Sequence, residues 1–144
     1  MTFEELENSL PNGVHDGEIS GISVDYVLRV ATFEIDLWIG DLNSKDPVVR
    51  ERYRKATITI RGLDFLAIEP PHPVYPYTEP DTVCISNNGP IDDRYGEKLS
   101  VLPKGNCSQA LYIGSWNTCI FVSGESCDLK WTGEPHLLGE TETG

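Results

Sequence analysis

The sequence contains no long apolar run and few positive charges, and each absence excludes a class of protein. No stretch approaches the roughly 20 consecutive apolar residues that cross a bilayer as a helix. Lys and Arg total 11 against 23 Asp and Glu, so the formal net charge is −12. Nucleic acids and anionic membranes are bound by cations that neutralise phosphates. We therefore expect neither as a partner, and the charge favours a basic protein.

Signatures of common catalytic and metal sites are also missing. The chain has only three histidines, no C-x-x-C spacing, no G-x-S-x-G elbow and no lysine-containing phosphate loop. We therefore expect no cofactor and no metal, and we assign no catalytic residue. The cysteines are interpreted as reduced thiols that pack as small apolar side chains; they are Cys84, Cys107, Cys119 and Cys127.

Length and composition indicate one domain that spans residues 1–144. The chain is 39% hydrophobic and 24% charged, which is enough for a core of its own. Its first residues are acidic (Glu4, Glu5 and Glu7), where a signal peptide is basic and then apolar. We therefore expect a cytoplasmic protein. The tail, residues 134–144, is rich in Gly, Glu and Thr and is predicted to be frayed.

Two short helices are predicted from their capping residues. Thr2 with Glu5 three residues later forms a capping box, which predicts a helix over residues 2–10. Asp46 followed by proline suits a helix N-terminus, so one helical turn is predicted near residues 46–54. Six of the 11 cations lie between Lys45 and Arg61, which predicts a basic stripe on an otherwise acidic surface.

Most of the remaining chain alternates between apolar and polar residues, as half-buried strands do. To bury one face, the first hairpin must pair Ile22 with Phe33 and Val24 with Ala31, around a loop of two or four residues. Residues 69–80 contain five prolines and predict a stiff segment that covers a sheet edge. A short strand is predicted at residues 82–86, and the rest of residues 82–107 is left open.

The last third of the chain predicts a three-stranded meander. A Gly-Glu turn at Gly124 suits a type II′ hairpin that pairs Val122 with Cys127. The preceding turn, at Trp116-Asn117, pairs Ile113 with Ile120 by the same alternation. One face then carries Leu111, Ile113, Ile120, Val122, Cys127, Leu129 and Trp131, and the other carries Tyr112, Cys119 and Phe121. Cys119 and Cys127 point to opposite sides, which excludes a disulfide between them.

These patterns predict a mainly β fold with two short helices. An antiparallel β-sandwich and a strongly curved sheet both satisfy the alternation, and the sandwich is the preferred of the two. The packing of the N-terminal hairpin on the C-terminal meander and the oligomeric state are left open by the sequence.

Two groups of residues are candidate binding sites. His15, Asp16 and Glu18, with His72, could supply imidazole and carboxylate groups to a metal or to acid/base chemistry. The structural alternative is that Asp16 caps the Asn-Gly turn before it. Separately, Tyr112 and Trp116 could stack on a glycan or another small ligand.

Several motifs resemble those of a small bacterial family of β-rich proteins to which no activity is assigned. They are the segment Leu10-Pro11-Asn12-Gly13-Val14-His15-Asp16-Gly17-Glu18-Ile19, the run from Tyr53 to Phe65, Ile68-Glu69-Pro70-Pro71 with Tyr75-Pro76-Tyr77, and Ser115-Trp116-Asn117. The resemblance covers most of the chain and implies a single β-rich domain without a transferable activity. In its small, β-rich, single-domain form the chain is also similar to immunity proteins of bacterial toxin systems.

The sequence therefore favours a non-enzymatic protein-binding domain, with an immunity-type inhibitor of a basic toxin as its specific form. Two alternatives stay open. One is an enzyme or metal-binding protein that uses the His15, Asp16 and Glu18 cluster. The other is a β module that binds a small ligand or a glycan.

Overall fold

The structure, a computed structural model, describes residues 1–73, 83–92, 99 and 105–137. Across these residues it contains two short helices, α1 (Phe3–Asn8) and α2 (Pro47–Arg50). The strands are β1 (Glu18–Asp25), β2 (Val30–Trp38), β3 (Arg52–Arg61), β4 (Phe65–Ile68), β5 (Val83–Gly89), β6 (Cys107–Ile113), β7 (Thr118–Gly124), β8 (Ser126–Trp131) and β9 (His136–Leu137). The prediction of a mainly β fold with short helices is confirmed.

All strands pair antiparallel in one sheet that is not closed. Its order is β4-β7-β6-β5-β1-β2-β3-β8, and β9 pairs with the other end of β3. In a flat sheet β3 and β6 would lie about 19 Å apart, because neighbouring strands are spaced at about 4.8 Å. Yet Ile58 of β3 and Leu111 of β6 line the same small interior cavity. The chain therefore forms one strongly curved sheet whose two halves face each other, rather than the preferred sandwich of two separate sheets.

The curved sheet encloses one main core, and a second apolar cluster lies on the outer face of β6 and β7. In the main core, α1 inserts Phe3 and Leu6 among side chains from both halves of the sheet. The outer cluster is built around Phe121 and includes Ile91, Ala110 and Cys119. This division confirms the predicted faces, because alternate residues of β6 and β7 belong to different clusters. In β8, Cys127, Leu129 and Trp131 face the main core, and Asp128 and Lys130 are exposed.

The N-terminal half agrees with its local signals. Thr2 and Glu5 form the predicted capping box at the start of α1, and the Asp46 side chain accepts a hydrogen bond from the Val48 N–H (3.0 Å) at α2. Ile22 pairs with Phe33, and Val24 with Ala31, so the predicted register is confirmed. The loop between β1 and β2 has four residues, Tyr26–Arg29, which is one of the two lengths expected.

The predicted hairpin at Gly124 is wrong, because β8 pairs with β3 and not with β7. Cys127 lies opposite Ile60 rather than Val122. The chain turns a corner at Gly124 and at Gly62, which has a φ of +61°. At this corner the Glu125 N–H donates to the Arg61 carbonyl (2.9 Å). The two bent segments cross together from one half of the sheet to the other, so β7 and β8 have different partners.

The register predicted for β6 and β7 is wrong by two residues. Ile113 pairs with Thr118, and Leu111 pairs with Ile120. The connecting turn contains four residues, Gly114 to Asn117, and Asn117 adopts a φ of +54°. Shifting an antiparallel register by two residues leaves every side chain on its predicted face. The clusters are therefore as expected although the partners differ.

Two predictions about the connecting segments need correction. The basic stripe is split, because side chains alternate along β3: Arg54 lies near Trp131, whereas Lys55 and Arg61 point to the outer face. The tail is not frayed from residue 134, since His136–Leu137 form β9 beside Arg52 and Tyr53. Residues 138–144 lie outside the described residues, as do residues 74–80 of the proline-rich segment.

The described part of that segment runs along the edge formed by β7. The Glu69 N–H donates to the Cys119 carbonyl (3.1 Å), and the Glu69 carboxylate accepts from the Cys119 N–H (2.8 Å). The strand predicted at residues 82–86 is present as the longer β5, Val83–Gly89. The four cysteines are free thiols, as predicted. No helix among the described residues is long and apolar enough to cross a membrane.

Candidate functional site

The predicted cluster before β1 is only partly assembled. His15 Nδ1 lies 3.2 Å from Asp16 Oδ2, and both side chains are largely exposed. Asp16 has a φ of +62° and lies at the end of the turn that precedes β1, and its capping of the Asn-Gly turn stays a prediction. His72 is exposed, and its backbone N–H donates to the Trp116 carbonyl (2.9 Å). Among the described residues no three His, Cys, Asp or Glu side chains are grouped so that they could hold a metal ion.

Tyr112 and Trp116 lie on different apolar clusters. The half-buried Trp116 packs against the main core, whereas Tyr112 packs against the outer cluster around Phe121. The Tyr112 hydroxyl donates to Asn117 Oδ1 (2.7 Å), which fixes it to the turn between β6 and β7. The two rings therefore do not form one stacking platform.

A different set of polar side chains converges on the outer face of β1, β2 and β3. The strand register places Cys84, Glu18, Asp36 and Lys55 in one row across β5, β1, β2 and β3. Glu18, Asp36 and Lys55 of this row line an open cleft of about 480 Å³, which has three carboxylates in its walls. Its polar lining residues are Glu18, Ser20, Glu34, Asp36, Lys55, Thr57 and Thr132.

Asp36 is held by His136, which reaches over the end of the cleft from β9. Asp36 Oδ1 lies 2.9 Å from His136 Nε2, with side-chain exposures of 13% and 9%. The other ring nitrogen, Nδ1, lies 2.8 Å from the Leu137 carbonyl oxygen. A carbonyl only accepts, so Nδ1 carries a proton, and a second proton lies between Nε2 and Asp36. The contact with Asp36 ties β9 to β2.

Burial and nearby carboxylates raise the pKa of two weakly acidic groups close to this face. Burial, together with the charges of Asp16 and Glu18, raises the pKa of Cys84 to about 11. Burial raises the pKa of Tyr53 to about 12, and Asp16 is the largest of the charges that add to this effect. Both groups stay protonated at neutral pH. This face of the sheet therefore disfavours a thiolate nucleophile and favours positive charge.

Sequence reasoning found Glu18 but missed Asp36 and His136. Asp36 occupies an ordinary polar position in an alternating strand, and His136 lies in a tail that resembled a frayed end. Nothing local connects two residues that are 100 positions apart. The predicted register of the first hairpin would pair Glu18 with Leu37. A bulge between Ile19 and Gly21 shifts the pairing and places Glu18 opposite Asp36, and alternation in the sequence does not indicate this shift.

The low reactivity of the thiols is a testable consequence. At pH 8 about one Cys84 side chain in a thousand is a thiolate if its pKa is about 11, and the other cysteines are buried. We expect the native protein to react with Ellman's reagent about a hundredfold more slowly than a free cysteine, and the unfolded protein to titrate four thiols. Asp16→Asn, which tolerates the positive φ, should speed the native reaction. One fast native thiol at pH 8 would contradict this picture.

Comparison with known proteins finds no relative: no protein-family model, no curated protein and no solved structure matches this chain. The resemblance carried by the sequence motifs stays a prediction. The function is therefore argued from the charges and contacts of the chain itself.

Proposed function

We propose that this chain is a non-enzymatic domain that binds a protein partner with a positively charged surface, in the form of an immunity-type inhibitor of a basic toxin. The observation that carries the proposal is the difference between the partners of its positive and of its negative side chains. Several of its arginines are engaged by acceptors of the same chain, whereas many carboxylates are exposed to solvent. The net charge of −12 therefore creates a negative potential at the surface, where a partner would bind.

The engaged cations hold the fold together. Arg29 donates through Nε and Nη2 to the Leu63 carbonyl (3.1 and 2.9 Å). Arg54 donates to the Gly133 carbonyl (2.7 Å), and its guanidinium lies 4.8 Å from the ring centre of Trp131. Arg61 pairs with Asp128 at 2.7 Å. These cations are directed at the chain's own acceptors and so contribute less to binding an acidic partner.

Exposed carboxylates lie on more than one side of the molecule. Glu34 is exposed and forms a wall of the cleft on β1–β3. Glu4 is exposed on α1 and lines a second cleft of about 440 Å³ between α1 and the strands β5 and β6. An acidic surface of this kind steers a basic protein towards the domain and speeds their association.

The groups that could serve catalysis support a binding role instead. His136 has both ring nitrogens directed at acceptors, so neither is available to take a proton from a substrate. Cys84 has a raised pKa, and the His15–Asp16 pair is exposed. The alternatives of an enzyme or metal site at His15 and of a glycan platform at Trp116 have no comparable support.

Charge variants test the proposal by affinity capture from extracts of cells that naturally produce the chain. The wild type and the double variant Glu4→Lys/Glu34→Lys are immobilised and exposed to extract at 50 and 300 mM salt. We expect one or more basic proteins to be captured by the wild type, and capture to fall about tenfold or more in the double variant. Each exposed ion pair is worth about 0.2–1 kcal/mol, and salt screens such pairs.

Lys130→Glu is the matched control, because it changes an exposed charge in the opposite direction. It is expected to retain or strengthen capture. Partners that are not basic, or capture that is indifferent to salt and to both variants, would overturn the proposed function.

A further inference from the structure

The tip of the hairpin between β1 and β2 exposes three apolar side chains in succession. The exposed fractions of Tyr26, Val27 and Leu28 are 87%, 91% and 71%. Single apolar residues are common on protein surfaces, but hairpin loops usually carry Gly, Asn, Asp or Ser. Nothing in the turn geometry demands apolar side chains here, and they contribute little to the core of this chain.

The backbone of this tip is fixed at both ends. Asp25 Oδ1 accepts hydrogen bonds from the N–H groups of Val27 (3.0 Å) and Leu28 (2.9 Å). On the other side, the Arg29 guanidinium donates twice to the Leu63 carbonyl, and the Leu63 N–H donates to the Arg29 carbonyl (2.9 Å). The tip is therefore held in one shape before any partner binds, which lowers the entropy lost on binding.

A groove of about 420 Å³ lies directly beside the tip. Tyr26 forms one wall of it, and the segment from Leu63 to Leu66 forms the other. Asp64 lies in this groove, and its carboxylate accepts hydrogen bonds from the Ser123 hydroxyl (2.9 Å) and the Gly105 N–H (3.0 Å). Apolar side chains thus project beside a recess that carries a carboxylate.

We propose that Tyr26, Val27 and Leu28 are the anchor of the interface, and that they insert into an apolar pocket of the partner whose rim is positively charged. The inference rests on the proposed function and names the surface that carries it. Asp25 lies at the start of the tip and Asp64 lines the groove beside it, whereas the Arg29 guanidinium, which also lines the groove, is directed at Leu63. Charge complementarity therefore favours a basic rim around the pocket. A second copy of this chain, also at −12, is disfavoured by the same charges.

Leu28→Asp and Leu42→Asp test the anchor as a matched pair. Both leucines are 71% exposed, and both variants add one negative charge, but Leu42 lies away from the tip in the loop after β2. A basic partner attracts the added negative charge. Weaker binding of Leu28→Asp would therefore report the loss of the apolar contact. The probe is the basic protein captured by the wild type in the charge experiment, purified and titrated against each variant.

We expect Leu28→Asp to weaken binding by about 30-fold or more, as anchor residues do, and Leu42→Asp to bind like the wild type. Both variants should unfold at the wild-type temperature. A photo-crosslinking residue at position 26 should label the partner, and the same residue at position 42 should not.

The outcomes separate the inference from the proposed function. If Leu28→Asp binds like Leu42→Asp while Glu4→Lys/Glu34→Lys loses binding, the anchor is wrong and the proposed function stands. If the wild type captures no basic protein, both are overturned. If sedimentation shows a self-association that Leu28→Asp abolishes and Leu42→Asp retains, the pocket belongs to a second copy and the proposed partner is wrong.

Discussion

Replacing Phe121 with alanine is expected to lower the free energy of unfolding by about 3–5 kcal/mol. Phe121 is fully buried and is the largest side chain in the fully buried part of the structure. It forms the centre of the outer cluster on β6 and β7, together with Ile91, Ala110 and Cys119. Removing its ring leaves a cavity between residues held by two paired strands, which cannot easily collapse.

Urea denaturation followed by circular dichroism measures this loss. Phe65→Ala is the matched control, because Phe65 packs at the margin of the same cluster and is only half-buried. Its loss should be clearly smaller. A Phe121→Ala variant within about 1 kcal/mol of the wild type would mean that the outer face of β6 and β7 is not a packed core.

Replacing Leu6 with alanine is expected to cost about 2–5 kcal/mol. Leu6 is fully buried and joins α1 to the main core, where the helix packs against β6 and β8. A helix of six residues is not stable alone, so its burial supplies most of its stability. Loss of the Leu6 contacts therefore destabilises α1 and also the part of the main core on which α1 packs.

The same substitution at an exposed site is the control. Leu42→Ala, at a residue that is 71% exposed, should change the free energy of unfolding by less than about 0.5 kcal/mol. If Leu6→Ala is equally silent, then α1 is not docked as described and the core does not depend on it.

Features set by neighbouring residues could be predicted from the sequence. The capping box at Thr2 needs only Glu5, and the first hairpin follows from alternation on two adjacent segments. The faces of β6, β7 and β8 were also predictable, because side-chain period is a local property. Such features depend on a few consecutive residues, and they agree with the structure.

Features that depend on distant partners could not be predicted. The residues around Gly124 suit a two-residue turn, and pairing β8 with β7 or with β3 buries the same apolar face. The corner at Gly62 selects β3 as the partner of β8, because the Glu125 N–H donates to the Arg61 carbonyl there. This contact joins residues that are far apart in the sequence, and alternation carries no information about it.

The candidate site also depends on contacts between residues that are distant in the sequence. Asp36 and His136 meet because β9 returns to β3, and neither residue has a distinctive neighbourhood in the sequence. The exposed tip was visible only as the loop of the first hairpin, since its importance comes from its exposure and from the hydrogen bonds of Arg29 with Leu63. The net charge follows from the composition, but the acceptors to which the arginines donate could be identified only from the structure.

The proposed role as a binding domain for a basic protein is tested most directly by calorimetric titration of the captured partner at two salt concentrations. Screening of opposite charges predicts that Kd rises about tenfold or more between 50 and 300 mM salt. In the same titrations, Lys130→Glu should bind at least as tightly as the wild type. A Kd that does not change with salt, or that falls as salt rises, would contradict the proposed role.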